Sequence, residues 1–362
     1  MSGIIRLTNE RAWRTYIGGR LLDCLHGNPN GEDTHFPEEW IMSVTACRNA
    51  GRENFPYEGM SKVCETGELL ADVIKRSPKE LLGSEHYEMF GDTTGVLVKL
   101  IDSAERLSIQ VHPNKEKARK YFDSDYGKTE SWHILGGREI KGEKPCIYLG
   151  FKKGVTREYW KQVFEEQDIE KMLDCLNKIE VKEGETYLIL GGVPHALGAG
   201  CFLLEVQEHT DYTIRTERVT PSGFKIADVM CHQGIGFDDM FDCFDYDGMT
   251  LEETVKKYRL NPYKDGKQTV LIGYESTSCF RLYELEVNNV YAAKAEKVFY
   301  GIYILDGKGS IIYDGKIMPI QIGDQFFVAA DTEFVLNADT PIKAVKFGGP
   351  SLTKSDESKM AL

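Results

Sequence analysis

From Thr269 onward this chain of 362 residues is an almost unbroken alternation of short β-branched and aromatic runs with Gly, Asp and Asn turns. Gly301-Ile-Tyr-Ile-Leu-Asp-Gly-Lys-Gly-Ser-Ile-Ile-Tyr-Asp-Gly and Ile320-Gln-Ile-Gly-Asp-Gln-Phe-Phe-Val are its clearest stretches. Turns so closely spaced leave no room for long helices and favour a small antiparallel barrel or jelly roll, in which closure protects strand edges. An earlier phrase, Ile179-Glu-Val-Lys-Glu-Gly-Glu-Thr-Tyr-Leu-Ile-Leu, has the same turn-then-strand pattern as Met318-Pro-Ile-Gln-Ile-Gly-Asp-Gln-Phe-Phe-Val. The parallel predicts a mainly β chain of two related barrels in tandem, one over 1–250 and one over 265–350.

Strands are also expected in Gly95-Val-Leu-Val-Lys-Leu-Ile, Thr186-Tyr-Leu-Ile-Leu and Phe202-Leu-Leu-Glu-Val. Helical periodicity is confined to Lys62 to Arg76, Lys115 to Phe122, Thr156 to Asn177 and Leu251 to Tyr258, with Ser77-Pro78 read as a stop. A small helical insertion near 156–178 follows.

Acidic residues outnumber basic ones 57 to 44, for a formal charge of −13, so nucleic acid and anionic membranes are not expected partners. An anionic substrate would need a local basic patch. No run reaches the ~20 apolar residues that span a bilayer. The start, Met1-Ser-Gly-Ile-Ile-Arg-Leu-Thr-Asn-Glu, lacks a signal-peptide core, and a cytoplasmic location is expected. Nine cysteines without a C-x-x-C pair indicate neither a disulfide framework nor a thiolate metal site. Oligomeric state is not legible.

The last histidine is His232, so an imidazole-based metal site must lie in the first barrel. In Leu107-Ser-Ile-Gln-Val-His-Pro113 the period of two puts Ser108, Gln110 and His112 on one strand face. Gln110 and His112 could grip one cation or form a hydrogen-bonded interior couple. Lys128 and Glu130 share a face if their segment is a strand, aiming an ammonium and a carboxylate into one cavity; a surface ion pair is the bland alternative. His195 stands in the Gly- and Pro-rich turn Gly191-Gly-Val-Pro-His-Ala-Leu-Gly, which can bring backbone close to a ligand. Further on, Glu205 and Gln207 face opposite to Leu204 and Val206, and Arg215 is the last basic group in reach. One Gln, one Glu and two His suit zinc better than calcium or magnesium.

These segments resemble the type I phosphomannose isomerases, zinc enzymes of the cupin superfamily. Leu107-Ser-Ile-Gln-Val-His-Pro-Asn-Lys115 is similar to the family's first metal motif, Lys128-Thr-Glu130 to its Lys-x-Glu motif, and Pro194-His-Ala-Leu-Gly to its third. Glu205 through Arg215 resembles its acidic-to-arginine segment, and Ile17-Gly-Gly-Arg20 and Gly95 to Asp102 also fit. The resemblance implies two cupin barrels, one Zn2+ per chain on Gln110, His112, Glu130 and His195, and interconversion of mannose 6-phosphate and fructose 6-phosphate. It implies a catalytic Arg215 and a pocket for a small sugar phosphate lined by Ser108 and Lys115 at the phosphate and Lys128 at the reacting end; Glu205 or Lys128 is expected to shuttle protons as general acid or base. Ser131-Trp-His133, Glu208-His-Thr-Asp-Tyr and Glu39-Trp-Ile-Met-Ser43 depart from the family pattern, the last only approximating Glu-x-Trp-x-x-Ser. An isomerase or epimerase of an unphosphorylated sugar, and a non-catalytic sugar-binding cupin, are the alternatives. A binding module would have no need of Lys128, Glu205 and Arg215 beside a metal.

Overall fold

The computed structural model describes residues 3–49 and 51–353; the first two residues of the segment read for a signal peptide lie outside them. Among the described residues, four antiparallel sheets carry the fold. A seven-stranded sheet runs Arg259–Leu260, Thr186–Ile189, Glu130–Gly137, Cys201–Glu208, Val96–Asp102, Glu38–Ile41, Glu10–Ala12, and a five-stranded sheet runs Ile214–Arg215, Gln110–Val111, His195–Leu197, Cys146–Phe151, Leu176–Glu180. A second seven-stranded sheet runs Ile4–Leu7, Gln325–Val328, Tyr300–Asp306, Ile342–Gly348, Arg281–Val287, Gln268–Ile272, Tyr263–Asp265, and a four-stranded one runs Val290–Ala293, Phe334–Ala338, Lys308–Tyr313, Lys316–Gln321.

Side-chain alternation along the strands sets the layers. In Val96–Asp102, Val96, Val98 and Leu100 point one way, into a core shared with Leu282, Tyr303, Phe327, Val345 and Phe347 of the C-terminal seven-stranded sheet. Ile101, from the other face, packs with Leu149, Ile179 and Leu197 of the five-stranded sheet. Lys99 lies on that inner face and is 2% exposed. A separate core of Ile302, Ile311, Phe326, Leu336 and Ala344 fills the space between the C-terminal seven- and four-stranded sheets. The large sheets therefore pack back to back, each backed by a smaller one. The first strand, Ile4–Leu7, pairs with Gln325–Val328 and so belongs to the C-terminal sheet.

Helices cover the five-stranded sheet. Arg157–Glu166, capped by the Thr156 side chain, buries Trp160, Val163 and Phe164 at helical spacing against Phe151 and Phe241. The stretch expected to be helical over 156–177 is two helices and a strand. Gln167 adopts φ 51, Asp168 caps a second helix, Ile169–Asp174, and Leu176–Glu180 joins the sheet. Lys62 to Arg76 is helical only over Leu70–Arg76, because Gly67 at φ 74 turns the chain and Lys62 bridges Leu69. Pro78 does more than stop that helix, since it opens the next one, Pro78–Leu82, at a position where its missing N–H is no loss. Lys115–Phe122 and Leu251–Tyr258 are helices with the expected bounds, capped by Asn114 and by a Thr250/Glu253 capping box. Among the described residues no helix is long and apolar enough to cross a membrane.

Candidate metal and active site

Cross-strand register assembles the site between the first two sheets. On the five-stranded sheet Gln110 is the partner of both His195 and Arg215. On the facing sheet Glu130 is opposite Gln207, and Glu205 is opposite both Trp132 and Lys99. Side chains directly opposite one another share a face, so these residues project into one space.

At its floor His112 Nε2 lies 3.1 Å from Glu130 Oε2, and His195 Nε2 lies 3.3 Å from Glu130 Oε1. All three residues are buried, and one donor atom from each falls within 4.8 Å of the others. Each imidazole is fixed from behind: His112 Nδ1 donates to the Tyr212 carbonyl and His195 Nδ1 to that of Val193, both at 2.8 Å. That tautomer leaves both Nε2 lone pairs aimed at the cluster, the arrangement that metal-binding histidines adopt. Burial, then Lys128, pulls the His112 pKa down to about 3, and burial lowers that of His195, so both rings are neutral. The two Glu130 oxygens are buried without a hydrogen-bond donor. The Lys128 ammonium, 3.3 Å from Oε2, is the one cation facing this carboxylate among the described residues, and two unprotonated imidazole nitrogens set against a carboxylate fit zinc. Gln110 reaches the same point, its amide nitrogen 3.3 Å from His195 Nε2, and a half-turn of the amide presents its oxygen there instead. The Gly-rich turn packs closely on neighbouring backbone. A Cβ on Gly191 would stand 2.7 Å from Asn114 Cα, and Gly192 N–H donates to the His112 carbonyl at 2.7 Å, so this turn ties the two histidine segments together.

Above the floor is a cavity of about 40 Å³ lined by residues including Ser108, Gln110, Lys128, Glu205 and Arg215. Lys128 Nζ lies 3.0 Å from His112 Nε2 and 3.3 Å from Glu130 Oε2. Lys115, by contrast, lines a different cavity, with Arg119, Tyr126 and Glu208. His133 is buried against Thr186 Oγ1, and His209 bonds Thr45 Oγ1.

Several residues of this cavity escaped the sequence reading. Lys99 donates to Glu205 Oε1 at 2.9 Å and to Gln207 Oε1 at 2.7 Å, while Trp132 Nε1 donates to Glu205 Oε2 at 3.1 Å. Glu205 holds Lys99 protonated with a raised pKa, and burial lifts Glu205 itself above the usual carboxylate value despite Lys99. The signal was a lone Lys on the inner face of an apolar run. Arg14 pairs with Glu38 at 3.0 Å and approaches Asp211 at 3.6 Å. Counted from Glu38, the segment Glu38-Glu39-Trp40-Ile41-Met42-Ser43 meets Glu-x-Trp-x-x-Ser without mismatch, and it is Glu38 that lines the cavity. Glu39 points to the other side, where Tyr303 donates to it at 2.7 Å.

With that geometry established, likeness to known proteins becomes informative. Residues 55–130 match the family profile described as phosphomannose isomerase type I, catalytic domain. The relatives this chain matches carry the name mannose-6-phosphate isomerase. The Bacillus subtilis protein named "Probable mannose-6-phosphate isomerase GmuF" is 27% identical over 328 residues, covering 89% of this chain and 90% of its own. Mannose-6-phosphate isomerase of Streptococcus mutans is 33% identical over 147 residues, covering 40% of this chain and 44% of its own. The crystal structure of the Bacillus subtilis mannose 6-phosphate isomerase has a TM-score of 0.69 at 22% identity, over 96% of this chain and 99% of that one. The apo form from Salmonella typhimurium gives 0.71 at 16% identity, over 97% of this chain and 100% of that one. The fold shared with these phosphomannose isomerase structures is a cupin fold.

Proposed function

We propose that the protein interconverts mannose 6-phosphate and fructose 6-phosphate, with one zinc ion per chain held by Gln110, His112, Glu130 and His195. The observation that carries this reading is Glu130, buried with both oxygens lacking a hydrogen-bond donor and met by two imidazole Nε2 atoms at 3.1 and 3.3 Å. When bound there, zinc would polarise the oxygens at C1 and C2 of the sugar.

The remaining chemistry falls to the side chains of the cavity. Going from aldose to ketose, the C2–H bond breaks, a C1–H bond forms, O2 gives up its proton and O1 gains one. Glu205 is placed to carry the carbon-bound proton, because a carboxyl group whose pKa burial has raised can both take a proton and return it. Lys128 gives a proton to O1 and receives the one from O2. Arg215 donates to the backbone carbonyls of Thr213 and Met230 through Nη1 and has no ion pair among the described residues, leaving its charge for the oxyanion that develops between the two sugars. Ser108 lines the wall beside them. The C-terminal sheet pair, which has no histidine, is assigned a supporting role as a second cupin unit.

The test is a coupled assay of zinc-analysed protein on mannose 6-phosphate, with free mannose in parallel and a chelated control. Turnover of the phosphate ester that chelation abolishes is expected. Activity on free mannose alone would remove the phosphate from the reading, and inactivity on both with one zinc bound would point to a sugar-binding cupin.

A further inference from the structure

The inner cavity, about 40 Å³, holds only a few waters at ~10–15 Å³ each, so a hexose phosphate cannot lie wholly within it. It shares Asn49 and Arg215 with a larger outer cavity of about 610 Å³, whose walls include Arg48, His209, Asp211 and Gln233. A sugar whose C1 and C2 reach the floor therefore extends its far end past Arg215 into this outer space.

The distribution of charge says what belongs there. Each other cation of the inner cavity has a carboxylate of its own: Arg14 with Glu38 at 3.0 Å, Lys99 with Glu205 at 2.9 Å, Lys128 with Glu130 at 3.3 Å. Of the lysines and arginines lining the two cavities, only Arg215 and Arg48 make no ion pair among the described residues, and both line the outer cavity. Its one carboxylate, Asp211, faces Arg14 at 3.6 Å, and burial keeps His209 neutral. An acidic protein of net charge −13 thus leaves two arginines with no carboxylate at ion-pair distance around one cavity, a field suited to an anion.

We propose that the outer cavity is the phosphate subsite and that Arg48 is a specificity-determining residue, binding the phosphate monoester directly. The proposal rests on the sugar-phosphate reading above. It places the phosphate at Arg48 and not at Lys115, which opens on the other cavity.

The experiment combines calorimetric binding of mannose 6-phosphate to zinc-loaded protein with steady-state kinetics, for wild type, Arg48→Gln, Arg48→Lys and Lys115→Gln. Loss of one charge-assisted contact should weaken binding and raise KM by roughly 10- to 100-fold in Arg48→Gln. The accompanying change in kcat should stay within about threefold, because the contact is equal in ground and transition states. Arg48→Lys should recover part of the affinity. Since Arg48 is exposed, thermal unfolding should be unchanged, which separates the effect from misfolding. Wild-type affinity in Arg48→Gln, a loss confined to Lys115→Gln, or a wild-type protein that binds no phosphate ester would each overturn the proposal. Binding without turnover would instead overturn the isomerase reading, and the Arg48→Gln affinity would still decide the subsite.

Discussion

Burial, and then Arg14, pulls the pKa of Arg215 down to about 10, yet at neutral pH the group remains charged. Replacing Arg215 by Ala should lower kcat by roughly 10²–10³-fold, the usual loss for one oxyanion donor, while metal analysis still finds zinc. The pH profile of kcat/KM should fall on its alkaline side near pH 10; a profile flat through that range would separate Arg215 from the reaction. Asp211 makes a different pH prediction. Burial raises its pKa, but Arg14, followed by Lys99, outweighs that effect and holds it at about 2. The folded value is depressed, so the stability Asp211 contributes is complete above its unfolded pKa, ~3.9. It is lost as pH falls from about 4 through about 2. Metal-free Asp211→Asn should therefore show a shallower fall in Tm over that range than metal-free wild type, and parallel curves would contradict the pairing with Arg14.

At the scale of elements, the site depends on two links between strands. Lys99 of Val96–Asp102 and Glu205 of Cys201–Glu208 are paired and almost fully buried, with side-chain exposures of 2% and 6%. Removing one partner leaves the other charge buried alone, so Lys99→Met should destabilise by about 3–5 kcal/mol in urea unfolding. The double variant Lys99→Met/Glu205→Gln should lose less than the sum of the singles, and additive losses would show that the two charges do not interact. The second link is the Gly191-Gly192 turn. A methyl at Gly191 must push against the backbone of Pro113 and Asn114, shifting His112 relative to His195. Gly191→Ala should weaken zinc binding by roughly 10- to 100-fold, the range seen when support for metal ligands is disturbed. A competition titration with a chelator measures it.

For the whole molecule, the back-to-back packing of the large sheets predicts joint unfolding. Their shared core includes Val98, Leu204, Phe327 and Phe347, and polar contacts cross it: Tyr303 to Glu39 at 2.7 Å, and the Met42 N–H to Gln325 Oε1 at 2.8 Å. Exposing either half would bring that apolar face into water. Calorimetry of metal-free protein should give one cooperative transition, and two resolved transitions would contradict this coupling. Tyr303→Phe, which leaves a buried Glu39 oxygen without its donor, should lower stability by about 1–3 kcal/mol.

Local chemistry determined much of this from sequence alone. The alternation of strands and turns gave a mainly β chain, and the period of two placed Gln110 beside His112 and Glu205 beside Gln207. Asn114 and the Thr250/Glu253 pair set helix starts that the structure keeps. These are short-range consequences of backbone geometry and capping. Which residues meet across strands was decided only by tertiary structure. Lys99 looks in sequence like an intruder in an apolar run, and gains its meaning from Glu205, which lies opposite it on another strand. Glu38 and Glu39 are adjacent, yet one faces the cavity and the other the interface between sheets. Arg14 comes to Asp211, Ile4–Leu7 joins the far sheet, and Lys115 turns to a second cavity. Such pairings depend on long-range register and layer packing, which no short window of sequence contains.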